Sequence, residues 1–502
     1  MQPREVDTSS AAPPRPSIEV RDPASGRVAG QVPNDSPEAV ARLVDRARAA
    51  RPAWEAMGPR ARGRALRAAR KAFVRARREI VELLAAETGK PMNDVVGEAF
   101  AVCLDVGAAA KHAPRALRPE HVGTRLPRGK TRIVRRVPHG VVGVIGPWNA
   151  PLTLTLGDAV YALAAGNTVV VKPSEVTPLA VRRAVEALAG ALPPDVLACT
   201  TGDGDTGAAL VDHVDMVAVT GSPRTGRLVM ERAARRLVPV LLELGGKDPM
   251  LVLDDAPIER AVNAATWGGF FMSGQVCMSI ERVYVVDAVA DEFERRLVER
   301  VAGLRVGPND REVDLGPLTS ARQVEIVADH VDEAVREGAR ALVGGHRMPE
   351  LGPQFYAPTV LVDVRPEMRV MNDETFGPVV AVQRVRDAEE AIALANATPF
   401  GLNASVWTRN LARGRAIAER IKAGSACVND CILNAGDADL PFGGVKQSGV
   451  GWRHGGIDGV RVFTRPQALR IDPGRKTRDV PWFPYRRRPV ELALRAMGWL
   501  WG

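Results

Sequence analysis

The alternation of short apolar runs with amphipathic stretches predicts an α/β protein built on open sheets. Three stretches carry this reading. Val141–Ile145, Val169–Val171 and Val217–Val219 are β-branched runs of strand length, apolar throughout, as expected of strands buried on both faces. Each ends in glycine or polar residues: Gly146-Pro147-Trp148-Asn149, Lys172-Pro173-Ser174-Glu175 and Thr220-Gly221-Ser222. Open α/β sheets bind their ligands at such strand ends. With 502 residues the chain can form two or three domains around a large core.

Composition narrows the class. A hydrophobic share of 46% and a charged share of 25% are ordinary for a soluble globular enzyme. The five cysteines form no disulfide framework, which fits a reducing cytosol. Cys427 and Cys431 lie close together, but no second Cys/His pair completes a zinc site, so they read as core residues and no metal is expected. The net charge of +9 reads as an Arg-rich solvated surface. Basic motifs interleaved with aromatics are missing, so nucleic acid is not expected as a partner. Neither a signal peptide nor an apolar run of membrane-spanning length is present, and the expected location is cytoplasmic.

Taken in order, Met1 to Pro16 reads as a disordered tail. Ser36-Pro37-Glu38 starts a helix, with a Ser cap, a first-turn proline and an early acid. Helical periodicity runs to about Arg51, is interrupted at Pro52, and resumes from about Arg60 to Thr88. Thr131–Val137 alternates loosely and reads as an exposed or edge strand. Gly202-Asp203-Gly204-Asp205-Thr206-Gly207 has the spacing of a dinucleotide fingerprint, but its two aspartates carry the wrong charge for a pyrophosphate. It reads instead as a turn into a helix near the adenine. The better phosphate cradle is Val217–Gly226, a strand running into a helix with Gly221 and Ser222 at its N-terminus. Leu237–Leu242 reads as a buried strand that ends at Gly245-Gly246 and leaves Glu243 at a cleft mouth. Asp254-Asp255-Ala256-Pro257 opens a helix ending before Phe270, and Val283–Val286 is a further strand.

Ser273-Gly274-Gln275-Val276-Cys277 is the candidate centre of the chemistry. A lone cysteine is more often a small buried hydrophobe than a nucleophile. A glycine three residues upstream, however, allows backbone N–H groups to turn toward a developing oxyanion. Glu243 supplies a carboxylate base, and the Asn149 side-chain amide can donate to an oxyanion. A cysteine nucleophile with a carboxylate base suits a covalent thioester that is later hydrolysed.

Leu242-Glu243-Leu244-Gly245-Gly246 and Ser273–Cys277, 34 residues apart from Glu243 to Cys277, resemble the glutamate and cysteine signatures of the NAD(P)-dependent aldehyde dehydrogenases. The resemblance extends from about Ile18 to Arg470. It includes Asn372–Pro378, Pro399–Val406 and the glycine-rich Pro441–Gly449. It implies the aldehyde dehydrogenase fold, with a Rossmann-like cofactor domain (17–119 and 139–246) and an α/β catalytic domain (247–445). A small β oligomerisation element (120–138 and 460–472) would build a homodimer or homotetramer, and 473–502 would be a separate tail. The resemblance further implies Cys277 as nucleophile, Glu243 as water-activating base and Asn149 as oxyanion donor. It implies NAD contacts from Trp148, Lys172, Glu175, Gly221, Ser222, Leu244, Glu374 and Phe376. A carboxylate at Glu175 would repel a 2′-phosphate and so favours NAD over NADP. Three departures stand out: Val219 where the family usually has Phe, Met272 where it commonly has Asn, and Gly451-Trp452-Arg453-His454-Gly455 where Gly-Arg-Glu is more usual. The Met272 departure suggests that a hydrogen bond supporting the cysteine loop is missing. Gly451–Gly455, together with the stretch from Cys277 to Arg282, is most similar to a bacterial branch labelled succinate-semialdehyde dehydrogenase.

By family position, Ala150, Thr153, Leu154, Gly157, Val276 and Met278 would line the substrate tunnel. They are mostly small or apolar, and Gly157 stands where many relatives carry an aromatic. A wide tunnel for medium or long aliphatic or aromatic aldehydes is therefore expected. Succinic semialdehyde is the alternative, and it would need a basic anchor from the loop 431–439. Trp482–Trp501, with Arg486-Arg487-Arg488 beside an apolar aromatic helix, suits peripheral contact with a membrane face or docking on a neighbouring subunit. Two other classes are carried alongside: a CoA-acylating enzyme of the same fold, and a non-catalytic membrane-attached binding protein.

Overall fold

The computed structural model describes residues 15–123, 130–310, 312–479, 482–485 and 487–501. The expected disordered tail lies almost wholly outside these residues. The chain separates into two units, one of residues up to 117 plus 138–465, the other of 118–137 plus 466 onward.

The first unit opens with a two-stranded ribbon, β1 (Ile18–Arg21) and β2 (Val28–Val32), and then four helices. These are α1 (Pro37–Ala56), α2 (Gly58–Arg75), α3 (Arg77–Thr88) and α4 (Met92–Ala116). Ser36 caps α1 by accepting from Ala39 N, as its sequence suggests. Pro52 does not end the helix. α1 continues through it to Ala56, and the break falls at Gly58, whose φ of +74° turns the chain out of the helical path. The stretch read as one helix from Arg60 to Thr88 is divided at Ala76, where ψ opens to 2°.

β3 (Glu120–His121) and β4 (Thr131–Pro138) come next and belong mainly to the second unit. β5 (Val141–Ile145) then starts the alternating pattern, followed by α5 (Pro151–Ala165), β6 (Thr168–Lys172) and α6 (Leu179–Ala189). β7 (Leu197–Cys199), α7 (Gly204–His213), β8 (Met216–Thr220), α8 (Pro223–Ala234) and β9 (Val240–Glu243) complete it. The strand read over Leu237–Leu242 starts only at Val240, since Leu237 is 90% exposed with φ +56°. β5 to β9 are parallel in the order β9-β8-β5-β6-β7. The chain therefore winds one way from β5 and then the other, placing a switch-point crevice beyond the C-terminal ends of β5 and β8.

After Gly246 a second sheet is built. Its elements are β10 (Asp248–Val252), α9 (Ile258–Phe270), β11 (Ile280–Val286), α10 (Asp287–Ala302), α11 (Ala321–Arg336), β12 (Arg340–Val343) and β13 (Thr359–Val362). Then come α12 (Arg369–Asn372), β14 (Val379–Val385), α13 (Ala388–Asn396), β15 (Ser405–Trp407), α14 (Leu411–Ala418) and β16 (Cys427–Val428). The order is β12-β13-β14-β11-β10-β15-β16, with only β12 antiparallel. Val283, Tyr284, Val285 and their neighbours on β11 are buried on both faces, which is why this strand reads as continuously apolar.

The chain then returns to the first sheet. β17 (Pro441–Phe442) pairs with β19 (Arg453–His454), and β18 (Gly449–Val450) adds antiparallel to β9, with Gly449 opposite Glu243. α15 (Ile457–Arg461) follows, and Val460 and Phe463 are buried in the first unit's core. The second unit thus takes up the chain at Pro466, not at 460. In it, β20 (Thr464–Ile471) joins β4 and β3 in a three-stranded sheet with β4 in the middle. β4 is mostly half-buried and lies in the middle of its sheet, so it is neither the exposed nor the edge strand its loose alternation suggests; residues 124–129 lie outside the described set. Lys130 holds this unit together through Asp472 at 2.6 Å and through Asp479. α16 (Arg487–Trp501) ends the chain with no buried residue.

Candidate active site

Cys277 sits in the loop between α9 and β11, reached through a tight turn at Phe271–Gly274. Met272, Ser273 and Gly274 are all left-handed, with φ of 51°, 57° and 72°. Such a run is costly for residues with side chains and needs outside support. Ser273 Oγ donates to Gly316 O at 2.8 Å, and Gln275 Oε1 accepts from Thr319 N at 2.8 Å while its Nε2 donates to Met272 O at 3.1 Å. The bond that Met272 was expected to cost the loop is therefore made up by Ser273 and Gln275. Gly274 admits no replacement, because a Cβ there would drive into the carbonyl of Gly377.

Asn149, at the turn from β5 into α5, is 5% exposed and donates through Nδ2 to Gln275 O at 2.9 Å. One bond uses one of its two N–H groups and leaves the other for a further acceptor in the cleft that Asn149 and Cys277 both line. Glu243 ends β9 at 1% exposure, and neither carboxylate oxygen has a well-formed hydrogen bond. The Cys277 thiol comes within reach of it. Gly246 lets the strand end close on Cys277: a Cβ there would strike the Cys277 carbonyl. Burial pushes Glu243 up to about 7, against the pull of Arg453. Burial, then Glu243 itself, also push the Cys277 thiol well above its usual value, so it rests protonated beside Glu243.

A cleft of about 530 Å³ opens from Cys277 and Glu243 past Asn149, Leu244, Glu374 and Phe376. It shares Trp148, Gly221 and Ser222 with an adjoining pocket of about 630 Å³ that reaches Lys172 and Glu175. The two follow the crevice at the β5/β8 switch point. Phe376, with φ +52°, meets Trp148 edge-on at 5.3 Å. Glu374 accepts from Gly246 N at 2.9 Å, and burial pushes it up to about 8. Glu281, four residues past Cys277, accepts from Thr375 N and Phe376 N at 2.8 Å each and pairs with buried Lys247, fixing that loop. Ser222 caps α8 by accepting from Thr225 N at 3.2 Å, with the helix N-terminus facing the crevice. Lys172 Nζ lies 3.4 Å from Glu175 Oε2. An elongated ligand with a central diphosphate and two ribose diols fits this sequence of groups: carboxylates at both ends and a helix N-terminus between. Asp203 caps α7 and lines the Lys172 end, where the sequence puts it. The same end also carries Arg235 and Arg232, the latter bound by Asp212.

All eleven site residues expected from the sequence thus border one continuous crevice. The profile of the Aldehyde dehydrogenase family matches residues 10–469. The chain belongs to that family. It is an oxidoreductase acting on aldehydes, with the aldehyde dehydrogenase fold. It is 40% identical to a Mycolicibacterium smegmatis protein named "Putative succinate-semialdehyde dehydrogenase", marked NADP(+), over 91% of this chain and 90% of that one. It is equally 40% identical to a 4,4'-diapolycopene aldehyde oxidase of Methylomonas, over 92% and 87%. Among solved structures, it superposes on the NAD-dependent aldehyde dehydrogenase from Sinorhizobium meliloti with a TM-score of 0.89 at 35% identity, covering 93% of each chain. Betaine aldehyde dehydrogenase from Staphylococcus aureus, solved with NAD+, gives 0.88 at 30% identity, again covering 93% of each.

On the aldehyde dehydrogenase's substrate side, Gly157 is buried, and a Cβ on it would lie 3.2 Å from Asp105 Oδ2. The loop 431–439 carries Asp437 and Asp439 and no Lys or Arg, so it does not hold the basic anchor that succinic semialdehyde would need. Besides Arg224 and Arg322, which line the cleft, a buried basic group approaches Glu243: Arg453, 3% exposed, on β19. Sequence reasoning registered it only as a motif departure. The usable signal was Asp158, a lone acid in the otherwise apolar helix α5, which had to find a buried cation.

Proposed function

We propose that this aldehyde dehydrogenase oxidises an uncharged medium- or long-chain aliphatic, or aromatic, aldehyde to its acid, using NAD. The convergence of Cys277, Glu243 and Asn149 at one end of the crevice carries this reading. Cys277 gives up its proton to solvent and, as the thiolate, attacks the aldehyde carbonyl. Asn149 Nδ2 and the Cys277 backbone N–H stabilise the oxyanion of the thiohemiacetal; one such donor is worth roughly 3 kcal/mol. NAD, held by Trp148, Lys172, Glu175, Gly221, Ser222, Leu244, Glu374 and Phe376, supplies the hydride acceptor. The thioester left on Cys277 is hydrolysed by a water from which Glu243 removes the proton.

Charge around the site favours an uncharged substrate over succinic semialdehyde. Arg453, the buried cation beside the catalytic residues, already lies 3.3 Å from Asp158, which leaves it less available to a substrate carboxylate. Glu175 supports NAD over NADP. The three-stranded sheet supports assembly into a homodimer or homotetramer, with its exposed strands available for pairing. We further infer peripheral membrane contact through 482–501 from the exposed Trp482, Phe483, Tyr485, Trp499 and Trp501. No helix among the described residues is long and apolar enough to cross a membrane.

The test is reduction of NAD and of NADP with an aldehyde panel from succinic semialdehyde through hexanal and dodecanal to benzaldehyde. Faster NAD-linked turnover with the longer or aromatic aldehydes supports the proposal. Preference for succinic semialdehyde overturns the substrate assignment.

A further inference from the structure

A guanidinium is buried next to the candidate base. Arg453 Nη2 donates to Thr220 Oγ1 at 2.8 Å and lies 3.3 Å from Asp158 Oδ2. Thr220 is the direct partner of Glu243 in the parallel β8–β9 pair. Paired residues in a sheet stand roughly 4.8 Å apart and send their side chains to the same face. Arg453 therefore reaches the space immediately beside Glu243 through the neighbouring residue's hydroxyl. Both Glu243 oxygens and Arg453 Nε lack hydrogen-bond partners, so no direct ion pair locks the two groups together.

We propose that Arg453 is a positioning residue whose fixed charge keeps Glu243 ionised for deacylation, with Asp158 limiting how much of that charge Glu243 feels. This rests on the reading of Glu243 as the base. The groups facing Glu243 come from four elements: Arg453 on β19, Asp158 on α5, Cys277 before β11 and Glu374 before β14. Arg453 is the one cation in this set. Behind it, Asp105 Oδ1 lies 3.7 Å from His454 Nε2, and burial holds His454 down to about 4, so the histidine adds no second charge. A carboxyl this deeply buried among carboxylates would keep its proton at neutral pH and could not take one from water. Arg453 offsets that tendency. It is held in place by Thr220 and Asp158 rather than by Glu243, which leaves the carboxylate free to turn toward water.

The experiment follows single-turnover deacylation of the full chain against pH, after acylation of Cys277 with p-nitrophenyl acetate. Arg453→Met is expected to move the acid limb upward by one pH unit or more, about 10-fold slower at pH 7. Arg453→Lys retains the charge and is expected to stay within about half a unit of wild type. Asp158→Asn should move the limb downward, because it removes a carboxylate that opposes Arg453. An unmoved limb in Arg453→Met, or shifts of both neutralising variants in the same direction, overturns the proposal. If Arg453→Met does not fold, Asp158→Asn decides alone: a downward shift supports the proposal, and an unmoved or upward one overturns it. Glu243→Gln separates the two readings. Wild-type turnover in that variant removes the base assignment and this proposal together. Acyl-enzyme accumulation in it, with unshifted Arg453 variants, removes only the role of Arg453.

Discussion

The side chain of Asn149 donates to the backbone carbonyl of Gln275 at 2.9 Å, tying the turn after β5 to the loop that presents Cys277. The proposed oxyanion donor and the loop of the proposed nucleophile are thus fixed relative to one another before any substrate arrives. That arrangement stabilises a transition state without reorganisation at the moment of reaction. Asn149→Ala is expected to lower kcat/KM by about 100-fold or more, with the melting temperature changed by only a few degrees. Steady-state kinetics beside a thermal melt check both halves.

Glu243→Gln keeps the shape of the side chain and removes its basicity. Acylation should give a normal first turnover, while deacylation slows by more than about 100-fold. A burst of NADH followed by a nearly flat steady state is the expected trace. Equal burst and steady-state rates would contradict the assignment. A CoA-dependent steady state would instead revive an acylating enzyme.

Because burial places Glu243 near 7, above its value of 4.5 in water, its ionised form is lost as the pH falls through neutrality. Deacylation-limited turnover should therefore fall about 10-fold per pH unit below roughly pH 6.5 and level off above about pH 8. Product release limiting turnover would flatten this limb, so single-turnover measurements are the check.

Gly274→Ala should abolish activity while leaving the fold intact. The added Cβ meets the Gly377 carbonyl, and a φ of +72° is unfavourable for alanine. Circular dichroism unchanged beside a loss of thiol labelling at Cys277 would show that the loop, not the fold, has moved.

Removing residues 473–502 takes away α16 together with Arg475, Lys476 and the triple arginine 486–488. The truncated chain should oxidise soluble aldehydes normally and lose sedimentation with phosphatidylglycerol vesicles, while neither form sediments with phosphatidylcholine. A change in oligomeric state with unchanged vesicle binding would make the tail a subunit contact.

The residues of the proposed catalytic site could be picked out in the sequence because each sits in a local pattern with a local physical cause. Gly274 and Gly246 are there for close backbone approach, and Glu243 follows an apolar strand at a glycine stop. The parallel strands β5, β6 and β8 were legible for the same reason: burial on both faces leaves an unbroken apolar run. Helix boundaries were less so. Pro52 is accommodated within α1, and the chain breaks instead where Gly58 turns left-handed, a choice made by packing.

What the tertiary structure alone decided are the polar contacts between distant segments. Thr220 and Arg453 are 233 positions apart, and Gly246 and Glu374 are 128 apart. Asp105 lies beside Gly157, a neighbour that no local pattern announces. Local patterns record which backbone shape and which face a segment needs, since those demands are met within a few residues. A buried charge has to be matched by whatever the fold brings next to it, and the partner's position in the chain leaves no trace at the residue itself.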